Sequence, residues 1–247
     1  MRYKILFAAA LLAVACVGHP ADDEDDFPGP DGPGGQPVEE AAAPGLVLDF
    51  TATWCVNCPR MTSAIEEAMS QRPGAVFPVC VHFKDVFSFP DGEDLANYFN
   101  IQEYPSAIIN LDKGSLTTAT SKDIIISRID AAVRKKPCDI KLSYADGVLS
   151  ASVTAAESGS YRLGALLLED GLVAAQTGGT EDYVHDNILR KILSADIFGE
   201  DLGSLESGAV AGSDFPIDNL ADSGKYHVVA YVTDGGIVNS ATSITLP

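Results

Sequence analysis

Two cysteines three positions apart, set between an apolar run and a helical pattern, constrain this chain more than any other feature. Residues 46–50, Leu-Val-Leu-Asp-Phe, form a short apolar run of strand length and type. Thr51-Ala52-Thr53-Trp54-Cys55-Val56-Asn57-Cys58-Pro59 follows. Residues 61–71 then carry Met61, Ile65, Ala68 and Met69 at helical spacing. A Cys-x-x-Cys can bind zinc, staple a loop or exchange disulfides. Zinc needs two more ligands at matching spacing, whereas Cys80 and Cys138 are isolated, so no metal or other cofactor is expected. Between strand and helix, the first cysteine is expected at a helix N-terminus, where unpaired N–H groups and the macrodipole favour a thiolate. The second, one turn on, can resolve a mixed disulfide.

The rest of the first half alternates strands with helices. Pro73-Gly74 stops the first helix. Residues 76–83 read as a strand, 93–100 as a helix, 106–111 as a strand and, after a turn at 112–114, residues 115–119 as another. Residues 122–136 read as a closing helix with Ile125, Ile129, Ala132 and Val133 on one face.

The run Asp49-Phe50-x-Ala52-x-Trp54-Cys55-x-x-Cys58 resembles the active-site segment of the thioredoxin superfamily, and every named position matches. The resemblance implies that Cys55 is the attacking nucleophile and Cys58 the resolving thiol, with Trp54 shaping the surface beside them. It implies that Asp49 is a buried carboxylate accepting the proton of Cys58; the alternative is a hydrogen-bonded strand-end Asp without a relay role. Tyr104-Pro105-Ser106, just before a strand, is similar to the family's Tyr-Pro-Thr, whose cis-proline presents backbone to the substrate. Val56-Asn57 replaces the Gly-Pro of thioredoxin, and Pro59 replaces its basic residue; proline is tolerated in a first helical turn.

After Pro137 the period changes from helical to two. Residues 140–144 and 148–155 alternate about Asp146-Gly147, residues 161–168 lead to Asp170-Gly171, and 226–233 pair with 237–246 about Asp234-Gly235-Gly236. The expected fold class is therefore an α/β thioredoxin-like domain at 45–137 followed by an all-β sandwich, immunoglobulin-like or jelly-roll-like, at 138–247. The sandwich is expected to pack separately, interrupted by one helix near 186–193.

The N-terminus reads as an export signal. Arg2 and Lys4 precede an apolar stretch at 5–14 that is far too short to span a bilayer. Leu12-Ala13-Val14-Ala15-Cys16 resembles a bacterial lipobox, which implies that residues 1–16 are a signal peptide ending at a lipidated Cys16 and that a lipid bilayer is a partner. Residues 17–44, with Asp22-Asp23-Glu24-Asp25-Asp26 and alternating Pro and Gly, cannot bury enough apolar area to order themselves and read as a tether. An exported chain permits disulfides, so Cys80 and Cys138 are left as a second bridge or as two buried free thiols. The net charge of −19 argues against nucleic acid as a partner.

The lipobox, the thioredoxin-like unit, the β-rich half and the stretch from Tyr183 to Arg190 together resemble a family of Bacteroidetes outer-membrane lipoproteins. Two functions fit. One is an envelope thiol–disulfide oxidoreductase acting on exported protein thiols or disulfides. The other is a non-enzymatic binding lipoprotein in which Cys55–Cys58 is a staple. His82 and His227 read as strand histidines, and His185 as a cap or anchor of the adjacent helix.

Overall fold

A computed structural model of the protein describes residues 45–132, 137–218, 220–221 and 225–247. The expected signal peptide, with Cys16, and the expected tether lie outside the described residues.

All seven residues of β1 (Gly45–Thr51) are buried. It pairs in parallel with β2 (Val76–His82), with Asp49 opposite Cys80, and antiparallel with β3 (Ser106–Ile109). The pleat sorts the side chains. Val47 joins Met61, Ile65 and Ala68 of α1 (Cys58–Gln71) and Ile125 and Ile129 of α3 (Lys122–Ala132) in one core. Leu46, Leu48 and Phe50 face the other way, toward Leu95 of α2 (Gly92–Tyr98) and Phe99. By this alternation Asp49 and Thr51 lie on the α1 side of the sheet. Residues 115–119 do not form the expected strand. Asp112 accepts a hydrogen bond from Gly114 N and starts a 3-10 turn at Lys113–Ser115, leaving a single bridge between Ala107 and Thr117.

The β-rich half contains β4 (Asp139–Ala145), β5 (Val148–Thr154), β6 (Gly159–Asp170), β7 (Leu172–Ala174), β8 (Tyr183–His185), β9 (Ile188–Ile192), β10 (Glu200–Leu205), β11 (Val210–Pro216), β12 (Lys225–Asp234) and β13 (Ile237–Thr245). The β4–β5 hairpin turns on Asp146 and Gly147, both at positive φ (51° and 78°), as a two-residue turn between twisted strands requires. The helix expected near 186–193 is instead β9. Asn187 sits at φ 58°, which an entering helix cannot adopt, and Ile188 and Leu189 are both buried, as a strand between two neighbours requires.

The strands form an eight-stranded sheet in the order β13-β12-β6-β9-β2-β1-β3, with β10 also on β6, a three-stranded sheet β11-β5-β4, and the β7–β8 pair. The thioredoxin-like strands therefore continue into the β-rich half through β9, which touches β2 at the Cys80–Ile188 bridge. The two halves also share a wall. Leu163, Ala165, Leu167, Val228 and Val232 point into the sandwich core with Leu149, Val153 and Phe215. Their neighbours Leu166, Leu168, Val229 and Tyr231 point into the core of the thioredoxin-like unit. The sandwich is thus not separately packed: β6 and β12 serve both cores.

Candidate functional site

The turn from β1 into α1 carries Cys55 and Cys58, joined as a disulfide with Cα atoms 5.4 Å apart. Cys58 is the first helical residue and Pro59 occupies the first turn, where its missing N–H is no loss. Cys55 therefore lies in the turn before the helix rather than within it. Cys55 is 5% and Cys58 1% exposed, whereas Trp54 is 48% exposed. Trp54 Nε1 donates to Phe83 O at 3.1 Å, and its ring meets Tyr104 edge-on at 5.5 Å. Tyr104 stacks on Phe83 at 5.1 Å and packs on Ala52, Cys55 and Cys58. The peptide bond between Tyr104 and Pro105 is cis. Burial, with the charge of Glu93, pushes the Tyr104 phenol up to about 12. An aromatic surface thus flanks one side of the disulfide.

On the other side lies Asp49, fully buried, with neither carboxyl oxygen hydrogen-bonded to protein. Burial raises its pKa from 3.8 to about 7, because a charge there would lose its water without gaining a partner. Asp49 and Cys58 line one cavity of about 50 Å3, together with Cys80, His82, Gln176 and His185. Among the described residues no group of three or more His, Cys, Asp or Glu could hold a metal ion.

Four residues that the sequence does not single out build this turn. Asp85 accepts from Thr53 N at 2.8 Å and Phe87 N at 2.9 Å, and bonds His82 Nδ1 at 2.7 Å. Burial alone would raise the Asp85 carboxyl, but the hydrogen bond and charge of His82 and the two amides outweigh it and hold it below the usual carboxylate range. Gln176 Nε2 donates to Cys55 O at 2.9 Å and Ala52 O at 3.2 Å, while Thr177 N donates to Thr53 O at 2.8 Å. Gly178, at φ 81°, lies so close that a Cβ there would sit 2.2 Å from Val56 O. The β7–β8 segment of the second half thus holds the cysteine turn from behind. No periodicity marks the contacts to Ala52, Thr53, Cys55 and Val56, since each of those is long-range.

The second bridge does not form. Cys80 and Cys138 are both free and buried. Cys80 sits on β2 beside Asp49, while Cys138 belongs to the sandwich core and donates its amide to Ser240 Oγ at 2.7 Å. Burial, followed by the charge of Asp49, pushes the Cys80 thiol well above its ordinary value. His227 Nδ1 pairs with Asp170 at 2.9 Å, far along the chain from the cysteine turn.

These features define a thioredoxin-fold protein with a disulfide at the turn from β1 into α1 and a β-rich second half. The family model for thioredoxin matches residues 36–136. The model for outer membrane protein Omp28 matches residues 93–243, more than half of the chain, which therefore belongs to the Omp28 family of the outer membrane and cell envelope. Among solved structures, the chain is similar to HBP35 of Porphyromonas gingivalis at 20% identity and a TM-score of 0.64, covering 84% of this chain and 76% of that one. A protein of Agrobacterium tumefaciens is similar at 15% identity and a TM-score of 0.61, covering 83% and 95%. At these identities the likeness is one of fold. No curated protein matches the chain. No helix among the described residues is long and apolar enough to cross a membrane.

Proposed function

We propose that this protein is an exported thiol–disulfide oxidoreductase of the outer membrane, anchored through lipid on Cys16 and acting on exported proteins through Cys55 and Cys58. The observation that carries the reading is Asp49. A buried carboxyl without hydrogen bonds costs roughly 1–3 kcal/mol even when neutral. A staple has no use for such a group, whereas a resolving thiol needs a proton acceptor at its side. In the reducing direction, the Cys55 thiolate attacks a substrate disulfide, and the departing substrate sulfur takes the electron pair of the broken bond. Cys58 then gives its proton to Asp49 and attacks Cys55 Sγ. The substrate's second sulfur leaves as thiolate, and two electrons have passed from the cysteine pair to the substrate. The oxidising direction is the reverse. Trp54, Tyr104 and Pro105 would contact the substrate backbone around the mixed disulfide.

Cys58→Ser removes the resolving thiol and leaves Cys55 in place, so reductant-sensitive adducts with envelope proteins should accumulate. The Cys55→Ser/Cys58→Ser double variant should trap nothing, which controls for Cys80 and Cys138. If Cys58→Ser also traps nothing in its native envelope, the pair is a staple and the oxidoreductase reading fails. Cys16→Ser should release the protein from the membrane fraction; retention would exclude the anchor.

A further inference from the structure

Behind the disulfide, the chamber holds more chemistry than Cys55, Cys58 and Asp49 require. Its volume of about 50 Å3 exceeds the roughly 10–15 Å3 that one water occupies, so a short file of waters fits. Two of its buried side chains, Asp49 through both carboxyl oxygens and His185 through Nε2, present polar atoms with no protein partner. His185 is only 6% exposed. Its ring also hydrogen-bonds the Ala174 carbonyl on β7. With Nε2 unpartnered, we assign the Ala174 contact to Nδ1, which places the proton there because a carbonyl only accepts. In the neutral ring, Nε2 is then a bare acceptor directed at the chamber. An unsatisfied acceptor and an unsatisfied carboxyl sharing a water-sized chamber are complementary, because one can take what the other can give.

We propose that His185 is the relay and positioning partner of Asp49: through water in the chamber, its Nε2 takes up the proton that Cys58 passes to Asp49, and returns it when the reaction runs backward. This rests on Cys55–Cys58 being an exchanging pair. When Cys58 resolves a mixed disulfide, its S–H proton moves to an Asp49 oxygen as its sulfur attacks Cys55. The carboxylic acid gives that proton to water, and the water gives one to His185 Nε2, with Nδ1–H kept on Ala174 O. The imidazolium then releases its Nε2 proton outward, past exposed Glu66 at the rim of the cavity. One proton crosses, no electrons move along this path, and each carrier returns to its starting state.

The surroundings suit a transient carrier. Burial, then the nearby His82, hold the His185 imidazole below its ordinary value, so the resting ring is neutral; Asp85 and Asp186 oppose that shift and favour the brief charged form. The groups facing His185 are Asp49 from β1, Cys80 and His82 from β2, Asp85 from the following loop, Glu66 from α1, and Tyr183 and Asp186 from its own segment. The proposal also gives the second half of the chain a task, since β7 and β8 supply both His185 and the carbonyl that fixes its tautomer.

The test uses the full chain, reduced by dithiothreitol and followed by the fluorescence of Trp54, the single tryptophan. His185→Asn keeps an amide that can donate to Ala174 O but has no Nε2. His185→Gln keeps a polar group near Nε2 that cannot carry a proton at these pH values. Both should reduce about tenfold more slowly at pH 7 in dilute buffer, less than the 100-fold or more typical of a group acting directly. Both should show a displaced pH profile, and added imidazole should restore the rate in proportion to its concentration. A folded His185→Asn protein with the wild-type rate, pH profile and indifference to imidazole would overturn the proposal. Should His185→Asn fail to fold, the same readings on His185→Gln decide. Loss of the adducts trapped by Cys58→Ser refutes the parent reading instead, so the two failures are distinct.

Discussion

Replacing Asp49 by Asn keeps the shape of a fully buried side chain and removes its titration, which isolates what the carboxyl contributes. In the unfolded chain this carboxyl ionises at its ordinary 3.8, whereas in the folded protein burial holds it protonated up to about 7. Between those values folding takes up a proton, so the contribution of Asp49 is fully present below 3.8 and is lost as pH rises toward 7. The whole shift corresponds to about 4 kcal/mol, of which about 1–2 kcal/mol is lost by pH 5 and about 2–3 kcal/mol between pH 5 and pH 8. With the two proteins matched where the carboxyl is protonated in both states, below pH 3.8, Asp49→Asn should be more stable by about 1–2 kcal/mol at pH 5 and by about 4 kcal/mol at pH 8, so the gap widens by about 2–3 kcal/mol between those two pH values. Urea unfolding at both pH values, followed by Trp54 fluorescence with the disulfide intact, measures the difference. The same variant should resolve mixed disulfides more slowly, because its amide cannot accept the Cys58 proton. Parallel pH dependences for the two proteins would show that Asp49 is not the buried acid described here.

Gly178→Ala forces a Cβ to within 2.2 Å of Val56 O at a φ of 81°, and should cost about 3 kcal/mol in urea unfolding while speeding disulfide reduction by dithiothreitol, since the cysteine turn loses its rear support. An unchanged midpoint and rate would mean that the β7–β8 segment does not brace the turn. With Cys16 replaced by Ser, the native protein should show no rapidly reacting thiol toward an aromatic disulfide reagent. In urea two should appear, from Cys80 and Cys138, both buried and free. Fewer than two in urea would indicate a second bridge.

The cysteine turn was legible because its signals are local. An apolar run, a tryptophan, two cysteines and a helical pattern follow one another within 25 or so residues, and the turn chemistry of Asp146-Gly147 is equally local. What escaped is long-range or double-sided. Residues 186–193 read as a helix, yet Asn187 at positive φ turns the chain into a strand whose partners, β2 and β6, lie far away in sequence. The runs Leu163–Leu168 and Val228–Val232 are apolar on both faces, which is the mark of a strand between two cores. Read as sandwich strands alone, they hid the wall shared with the thioredoxin-like unit. The wall behind Cys58 was illegible for the same reason: Gln176 reaches Cys55 O across 121 positions.

The reduction potential of the Cys55–Cys58 couple, measured against glutathione or dithiothreitol in the full chain, tests most directly whether this disulfide exchanges. An exchanging pair backed by a buried acid should lie above about −300 mV, within the range of roughly −270 to −120 mV occupied by thiol–disulfide oxidoreductases. A value below about −300 mV would mark a structural disulfide and contradict the account.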